Sequence, residues 1–464
     1  MASVTFERAN DTSRRRGQPR QATAKRLSRP PRPGVVDLAV VLFGLGLGAS
    51  VALALTAETA AGMKAPGGVA MFIGNLTGLA GTYLALVMIL LVSRIPVVER
   101  TLGQDGLLAW HRRLAPWPIS LIVAHAVFLT IGYAQAAHTG VMHELNTFIS
   151  SFPGMAIAIA GFGILVVVAV LSIYSVRRRL RRETWWAIHL GMYLAFALAF
   201  AHEVVLGPSF VNHPLTQAVW SAAWAATAGV VLVYRFGLPI YRSLHHRLRV
   251  VELRPEGEGV TSVILEGRHL DRLPISGGQF FEWRFLKRGL WWQAHPYTVS
   301  ARPRPPYLRL TVKAVGDHSA ALARPEPGTR VAVEGPYGAF TAHARRHQRA
   351  ALLAGGIGIT AARSLLEDLP KRSQPVVVWR VASEAEAALA EEVRQLVSHL
   401  GGKLHLLAGS REEFPLEKVV GLVPDLATRD LYVSGPEGFV SGVVGLLRHS
   451  GVAEEAIHSE VYAL

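Results

Sequence analysis

Six apolar runs, near residues 35–57, 69–93, 114–137, 153–176, 186–205 and 215–237, set the terms for anything this chain can fold into. Each meets the test of roughly 20 residues for a helix that crosses a hydrocarbon core. Lipid offers no partner to an exposed amide, so such runs must become helices whose backbones satisfy themselves. The links between the runs are biased in charge. Arg94, Arg100, Arg112 and Arg113 lie between runs two and three, and "RRRLRR" (177–182) lies between runs four and five. The other three links hold one basic residue, Lys64. Basic links stay in the cytoplasm. The N-terminus, the even-numbered links and everything after residue 237 are therefore expected there, in a multi-pass protein of a bacterial inner or plasma membrane.

Composition narrows the reading. Half of the 464 residues are apolar, yet Lys+Arg exceed Asp+Glu by 48 to 33. That combination fits membrane helices with basic flanks better than a nucleic-acid binder, for which no zinc finger or aromatic-interleaved basic patch is present. Cysteine is absent, which removes disulfides, iron–sulfur clusters, Cys-bound zinc and thiol catalysis. Any metal must be held by His, carboxylate or Met. Residues 1–34 carry nine Lys/Arg and two acids among Pro and Ser, the composition of a disordered basic tail. The run that begins at Val35 is long enough to span and is read as a retained helix, not a cleaved signal.

Beyond residue 245 the periodicity changes. Short alternating runs broken by Gly and Pro ("RVVEL", "VTSVIL", "GQFFEW", "YLRLTVKAV", "RVAVEG") predict an antiparallel β-barrel over 245–345. From 346 onward, strands alternate with helical periods at 360–369, 385–400 and 437–450, which predicts an α/β layer on a parallel sheet. The fold class expected is a multi-domain membrane protein: a six-span α-helical domain (35–240), a β-barrel, then a Rossmann-like α/β domain (346–464).

Four histidines lie inside the apolar runs or at their edge. His111 and His125 are 14 residues apart in run three; His189 and His202 are 13 apart in run five. At about 1.5 Å per residue each pair spans roughly 20 Å, and the two runs point the same way, so His111 matches His189 in depth and His125 matches His202. A single intramembrane histidine is most often a packed, hydrogen-bonded residue, and sometimes a proton relay. Matched depths on two helices, with acids nearly absent from the runs and no cysteine, favour two bis-histidine haem sites instead. Thirteen residues leave two side chains about 140° apart on a straight helix, so run five is expected to kink, to tilt or to serve haems offset around it. Pro116 and Pro118 predict a bend in run three.

In the barrel stands "HPYTVS" (295–300), followed by "VKAVGDHS" (312–319) and "GPYG" (335–338). Next comes "LLAGGIGIT" (352–360), an apolar strand that runs through glycines into a helix, where backbone N–H groups can meet phosphate. "YVSGPEGF" (432–439) and the terminal "SEVYAL" complete the set. The barrel motifs resemble the ferredoxin–NADP reductase type of FAD domain. With the histidine pairs ahead of them, residues 35–464 resemble the ferric reductase and NADPH oxidase family: a six-helix haem domain joined to a cytoplasmic dehydrogenase. That resemblance implies FAD held around His295, Pro296, Tyr297, Thr298, Ser300, Lys313, Ser319, Gly335 and Gly338, with Tyr297 packed on the flavin, Thr298 hydrogen-bonded near N5, and Lys313 and Ser319 at the diphosphate. It implies NADH or NADPH at Gly355, Gly356, Gly358, Thr360, Ser434, Gly435 and Pro436, Ser434 standing where the family usually has Cys. Glu460 and Tyr462 match the family's carboxylate and terminal aromatic at the site of hydride transfer, although two residues follow Tyr462 here.

The resemblance implies hydride transfer from NAD(P)H to FAD and single electrons to an inner haem (His111/His189), an outer haem (His125/His202) and an extracytoplasmic acceptor. Dioxygen and ferric iron are held about even. Leu129 stands where eukaryotic oxidases of the family often have a further His, and His138, His143 and His213 lie on the outer side. Arg380 is close to the position that meets a 2′-phosphate, but Ala382 with Glu384 and Glu386 leans modestly to NADH, or to no strong preference. The partners expected are lipid, NAD(P)H and the acceptor, with neither nucleic acid nor an obligate protein partner indicated. Two rivals stay open: a donor of electrons to a separate periplasmic protein, and a six-span transporter with a nucleotide-sensing domain, which predicts no haem absorbance.

Overall fold

The structure is a computed structural model that describes residues 33–96, 98–99, 104–180, 182–315 and 326–462. The basic tail before residue 33 and Ser319 lie outside the described residues. Among those described, six helical spans are long and apolar enough to cross a membrane: Asp37–Thr56, Gly68–Leu91, Gly106–Ala136, Met155–Ser172, Thr184–Leu206 and Pro214–His246. Leu42, Val167 and Leu194 leave more than half of their surface bare on the outside of the bundle, as lipid-facing side chains do. The inside is built by small residues. A Cβ on Gly74 would stand 2.6 Å from Leu129, and one on Gly161 would stand 2.8 Å from the Ala195 carbonyl. Span two thus lies close on span three, and span four on span five, by the small-residue packing that membranes favour.

Two helix boundaries differ from those expected of the sequence, and both help to build the site. The sixth span does not stop at 237. A π-helical turn, Leu232–Gly237, carries it into the helix Leu238–His246, so Arg235 and Arg242 project beyond the membrane-depth residues. The third span starts earlier, so that His111 sits in a helix of its own, Gln104–Leu114.

The barrel follows directly. Strands β1 (Arg249–Gly257), β2 (Val260–Glu266) and β5 (Tyr307–Lys313) form one antiparallel sheet; β4 (His295–Thr298), β3 (Phe280–Phe285) and β6 (Val331–Tyr337) form the other. Single bridges Arg249–Arg330 and Val299–Leu310 join the sheets at both seams, which removes free edges. Alternate residues point inward along β3 and β6. Phe281, Trp283, Phe285, Leu308 and Leu310 are almost fully buried, each such side chain contributing about 1.5–3 kcal/mol.

The last domain is a five-stranded parallel sheet in the order β11 (Ile457–Tyr462), β10 (Arg429–Pro436), β7 (Arg349–Gly355), β8 (Val376–Val381), β9 (Lys403–Ala408). Helices Ile359–Leu366, Ala390–His399 and Glu437–His449 flank it. The second helix begins at 390, not 385, because Glu384–Glu386 form a 3₁₀ turn. Strand β11 is not expected from the sequence; it adds the chain's last described residues to the sheet beside β10, pairing Ser434 with Glu460 and Pro436 with Tyr462.

Candidate functional site

Both histidine-bearing spans are broken between their two histidines. In span three the helix Gln104–Leu114 gives way at Ala115 to Pro116–Ala136, where Pro116 cannot donate into the preceding turn. In span five Arg182–His189 ends at the first histidine and Gly191–Leu206 begins two residues later. That break answers the 13-residue spacing, because a helix restarted at Gly191 no longer owes its rotation to the turn before it. His111 then faces His189 with ring centroids 6.3 Å apart, and His125 faces His202 at 6.2 Å.

The other nitrogens of these rings sharpen the picture. His125 Nδ1 lies 2.8 Å from the Gly74 carbonyl, His111 Nδ1 3.4 Å from the Met88 carbonyl, and His189 Nδ1 3.3 Å from Ser172 Oγ. Trp185 stacks on His189 at 4.9 Å and gives its indole N–H to the same Ser172. An imidazole tied back at Nδ1 by a neighbour presents Nε2 to its opposite number, the arrangement of metal-bound histidines. The spacing fits as well. Two metal–nitrogen bonds of about 2 Å, each with a ring centre about 1.1 Å behind it, put centroids about 6.2 Å apart. The residues present therefore fit two bis-imidazole iron centres, such as haem. Met88 and Gly74 are 14 residues apart on span two, so the pairs lie about 21 Å apart along it. The His111/His189 pair is proximal to the barrel and the His125/His202 pair distal.

The barrel docks at the proximal end. Arg94, just beyond span two, lies 3.7 Å from Glu282 of β3 and covers the Tyr337 ring at 4.2 Å. Arg235 donates to Glu334 of β6 at 2.6 Å, Tyr337 OH donates to the same carboxylate at 2.8 Å, and Arg242 donates to the Gly335 carbonyl. Ser243 Oγ accepts from the Val333 amide at 3.0 Å. Glu99 is buried in the same cluster, and burial pushes its carboxyl up to about 7 despite Arg94 beside it.

The remaining expected residues gather where the barrel meets the parallel sheet. Thr298 Oγ1 is 2.8 Å from Tyr462 OH and 3.5 Å from Glu460 Oε1. Tyr462 also shares a hydrogen bond with Thr360, and burial raises its phenol. Tyr297 is half-buried against the barrel core, its phenol pushed up to about 12 by burial. Ser434 Oγ donates to the Gly358 carbonyl at 2.9 Å, and a Cβ on Gly358 would stand 2.4 Å from Ser434 O. The two glycine motifs are thus one site, made by neighbouring strands β7 and β10. Gly356, Gly435, Gly335 and Gly338 all hold positive φ, and Gly355 abuts Phe439; Pro436 caps the helix Glu437–His449. His295 and Pro296 lie on β4, Pro296 exposed.

Two expected cofactor contacts are otherwise engaged. Ser300 is fully buried, its hydroxyl accepting from Thr311 at 2.8 Å inside the barrel. Lys313 is paired with Glu386 at 2.9 Å. Arg380 donates to the Phe414 carbonyl at 3.1 Å and lies over the Phe439 ring.

Comparisons with known proteins find similar chains among membrane reductases, an oxidase and flavohemoproteins. The chain is 25% identical over 311 residues to ferric/cupric reductase transmembrane component 1 of Candida albicans, covering 65% of this chain and 38% of that protein. It is 26% identical over 172 residues to NADPH oxidase 1 of Rattus norvegicus, covering 35% of this chain and 28% of that protein. A flavohemoprotein of Xylella fastidiosa is 26% identical over 312 residues, 62% of this chain and 78% of that protein. The family model for a ferric reductase like transmembrane component matches residues 77–200, and that for an FAD-binding domain matches 256–341. Over residues 77–200 the chain is thus similar to the ferric reductase like transmembrane components, and over 256–341 to FAD-binding domains. Three of the four paired histidines fall inside the matched membrane segment, and His202 lies two residues beyond it. Thr298, Gly335 and Gly338 fall inside the matched FAD-binding segment.

Sequence reasoning missed two features of the chain. Glu203, inside span five, accepts from Thr82 Oγ1 at 2.7 Å, Trp220 Nε1 at 2.9 Å and Trp224 Nε1 at 3.3 Å. Arg309 of β5 gives a two-pronged contact to Glu392 at 2.7 and 2.8 Å, and Arg363 joins the same carboxylate. In both cases the partners are far apart in sequence and leave no spacing signal.

Proposed function

We propose that this oxidoreductase takes electrons from cytoplasmic NADH or NADPH through FAD and two haems, held by His111/His189 and His125/His202, to an extracytoplasmic acceptor, dioxygen or ferric iron. The observation that supports it most is one geometry used twice: imidazole pairs 6.3 and 6.2 Å apart at two depths of the bundle. A bound flavin would supply the exchange between a two-electron donor and one-electron carriers. The protein's own part is placement. Gly355, Gly356 and Gly358 bring backbone to the start of the helix Ile359–Leu366, where unpaired N–H groups suit a phosphate. Thr298, Glu460 and Tyr462 form the polar wall where barrel and sheet meet. Arg94, Arg235 and Arg242 hold the barrel at the proximal end of the bundle.

A small acceptor is supported by the distal end, where Pro66, Gly67, Ile131, Gln135, His138 and Thr139 line an open cavity of about 520 Å³. The test is spectroscopic first. Purified full-length protein reduced with dithionite is expected to give a b-type haem spectrum at two haems per chain. Protein colourless beyond its flavin bands would overturn the proposal. Turnover of NADH and NADPH with oxygen or ferric citrate then separates the acceptors, since ferric reduction that persists without superoxide removes the oxidase option.

A further inference from the structure

Apart from Asp37 at the first residue of span one, Glu203 is the only carboxylate in the six spans. An ionisable side chain at membrane depth is costly and asks for a function. Its three donors come from two other spans: Thr82 from span two, Trp220 and Trp224, one helical turn apart, from span six. Glu203 therefore ties the distal end of span five to both neighbours at once. It does so one residue after His202.

That position matters because His202 differs from its three counterparts. His111, His125 and His189 each have Nδ1 tied to a group on another helix. His202 Nδ1 is buried with no hydrogen-bond partner of normal geometry. No hydrogen bond from another helix therefore ties that nitrogen back, so the ring's direction depends more heavily on where the backbone of span five stands. Span two serves both halves of the pair on one face: the Gly74 carbonyl meets His125, Gly78 lies under the same ring, and Thr82, one turn further, meets Glu203.

We infer that Glu203 is a positioning residue for the distal metal centre, fixing the rotation of span five so that His202 faces His125. The inference rests on the reading of the two histidine pairs as haem ligands. It is tested on purified full-length protein through haem content, spectrum and midpoint potential. Glu203→Ala is expected to weaken haem binding at the distal site roughly 10- to 100-fold, the usual effect of losing a ligand's support. The reduced spectrum should then match that of His202→Ala, while FAD content and flavin reduction by NAD(P)H stay unchanged. Glu203→Gln, which keeps one acceptor oxygen, should retain both haems but shift the distal midpoint potential alone. Trp220→Phe with Trp224→Phe removes both indole N–H donors, together with part of each ring, and should reproduce that shift. Glu203→Ala protein that keeps both haems with an unaltered distal spectrum and potential overturns the inference. If Glu203→Ala loses FAD as well, Glu203→Gln decides, and an unmoved distal potential there overturns it equally. Wild-type protein with fewer than two haems sinks the ligand reading itself, and the inference with it.

Discussion

Gly78 decides where His125 can stand. A Cβ at that position would lie 2.4 Å from His125 Nδ1, inside the space that ring uses to reach the Gly74 carbonyl. Gly78→Ala is therefore expected to push the ring off its partner, at about 1–3 kcal/mol for overpacking, and to lower distal haem content while the proximal haem stays. Gly163→Ala is the control, because nothing lies within 4 Å of a Cβ there. Equal haem spectra in the two variants would refute the packing account. The histidines were legible in sequence because a polar ring in an apolar run is conspicuous and its spacing is countable. Gly78 was not, since a glycine in a membrane helix looks the same whether it faces lipid or a ligand. Glu203 was visible as a letter but not as a hub, its donors standing 121, 17 and 21 residues away. Ser300 and Lys313 show what a motif leaves out: the hydroxyl accepts from Thr311 inside the barrel and the ammonium pairs with Glu386.

At the scale of elements, periodicity placed the spans, the barrel strands and most of the sheet. It failed where tertiary contact overrules local preference. By periodicity span five reads as one apolar run, and only the 13-residue spacing of its histidines announced the break at Leu190 between them. The terminal "IHSEVY" has too few apolar residues to announce a strand, and becomes one because β10 offers it an edge. Hidden from sequence for the same reason is the clamp between barrel and sheet, where β5 and the helices Ile359–Leu366 and Ala390–His399 meet at Glu392. Burial alone would raise that carboxyl, but the hydrogen bonds and charge of Arg309, then the charge of Arg363, hold it down at about 2. A depressed carboxyl contributes stability that is present above its ordinary value of 4.5 and is lost as pH falls towards about 2. Glu392→Gln should remove that acid-sensitive part of the unfolding profile and leave Arg309, whose side chain is only 1% exposed, without its anion. The cost expected at neutral pH is on the order of 3 kcal/mol, the low end for a broken buried pair, because Glu392 keeps 35% of its side chain exposed. Thermal unfolding from pH 7 down to pH 3 checks this. Parallel profiles for variant and wild type would show that the clamp carries no linked proton.

For the molecule as a whole, the proposed function depends on direction: the α/β domain would have to stand on one side of the membrane and the distal pair near the other. Charge bias in the links predicts that direction, and the barrel docks at the end of the bundle marked by Arg94, Arg235 and Arg242. The absence of cysteine makes the orientation directly measurable, since a thiol reagent finds no native target in the chain. Thr139 is exposed at the distal end and Arg179 in the basic link at the proximal end. In intact cells, Thr139→Cys protein should react with a membrane-impermeant maleimide, and Arg179→Cys protein should react only after the membrane is opened. The reverse pattern would place the distal cavity in the cytoplasm and remove any extracytoplasmic acceptor. Paired with the acceptor assay the result is sharper still. If Thr139 faces outward, a bulky maleimide there should slow reduction of a ferric chelate that uses the adjoining cavity, and leave flavin reduction by NAD(P)H, at the other end of the molecule, at its wild-type rate.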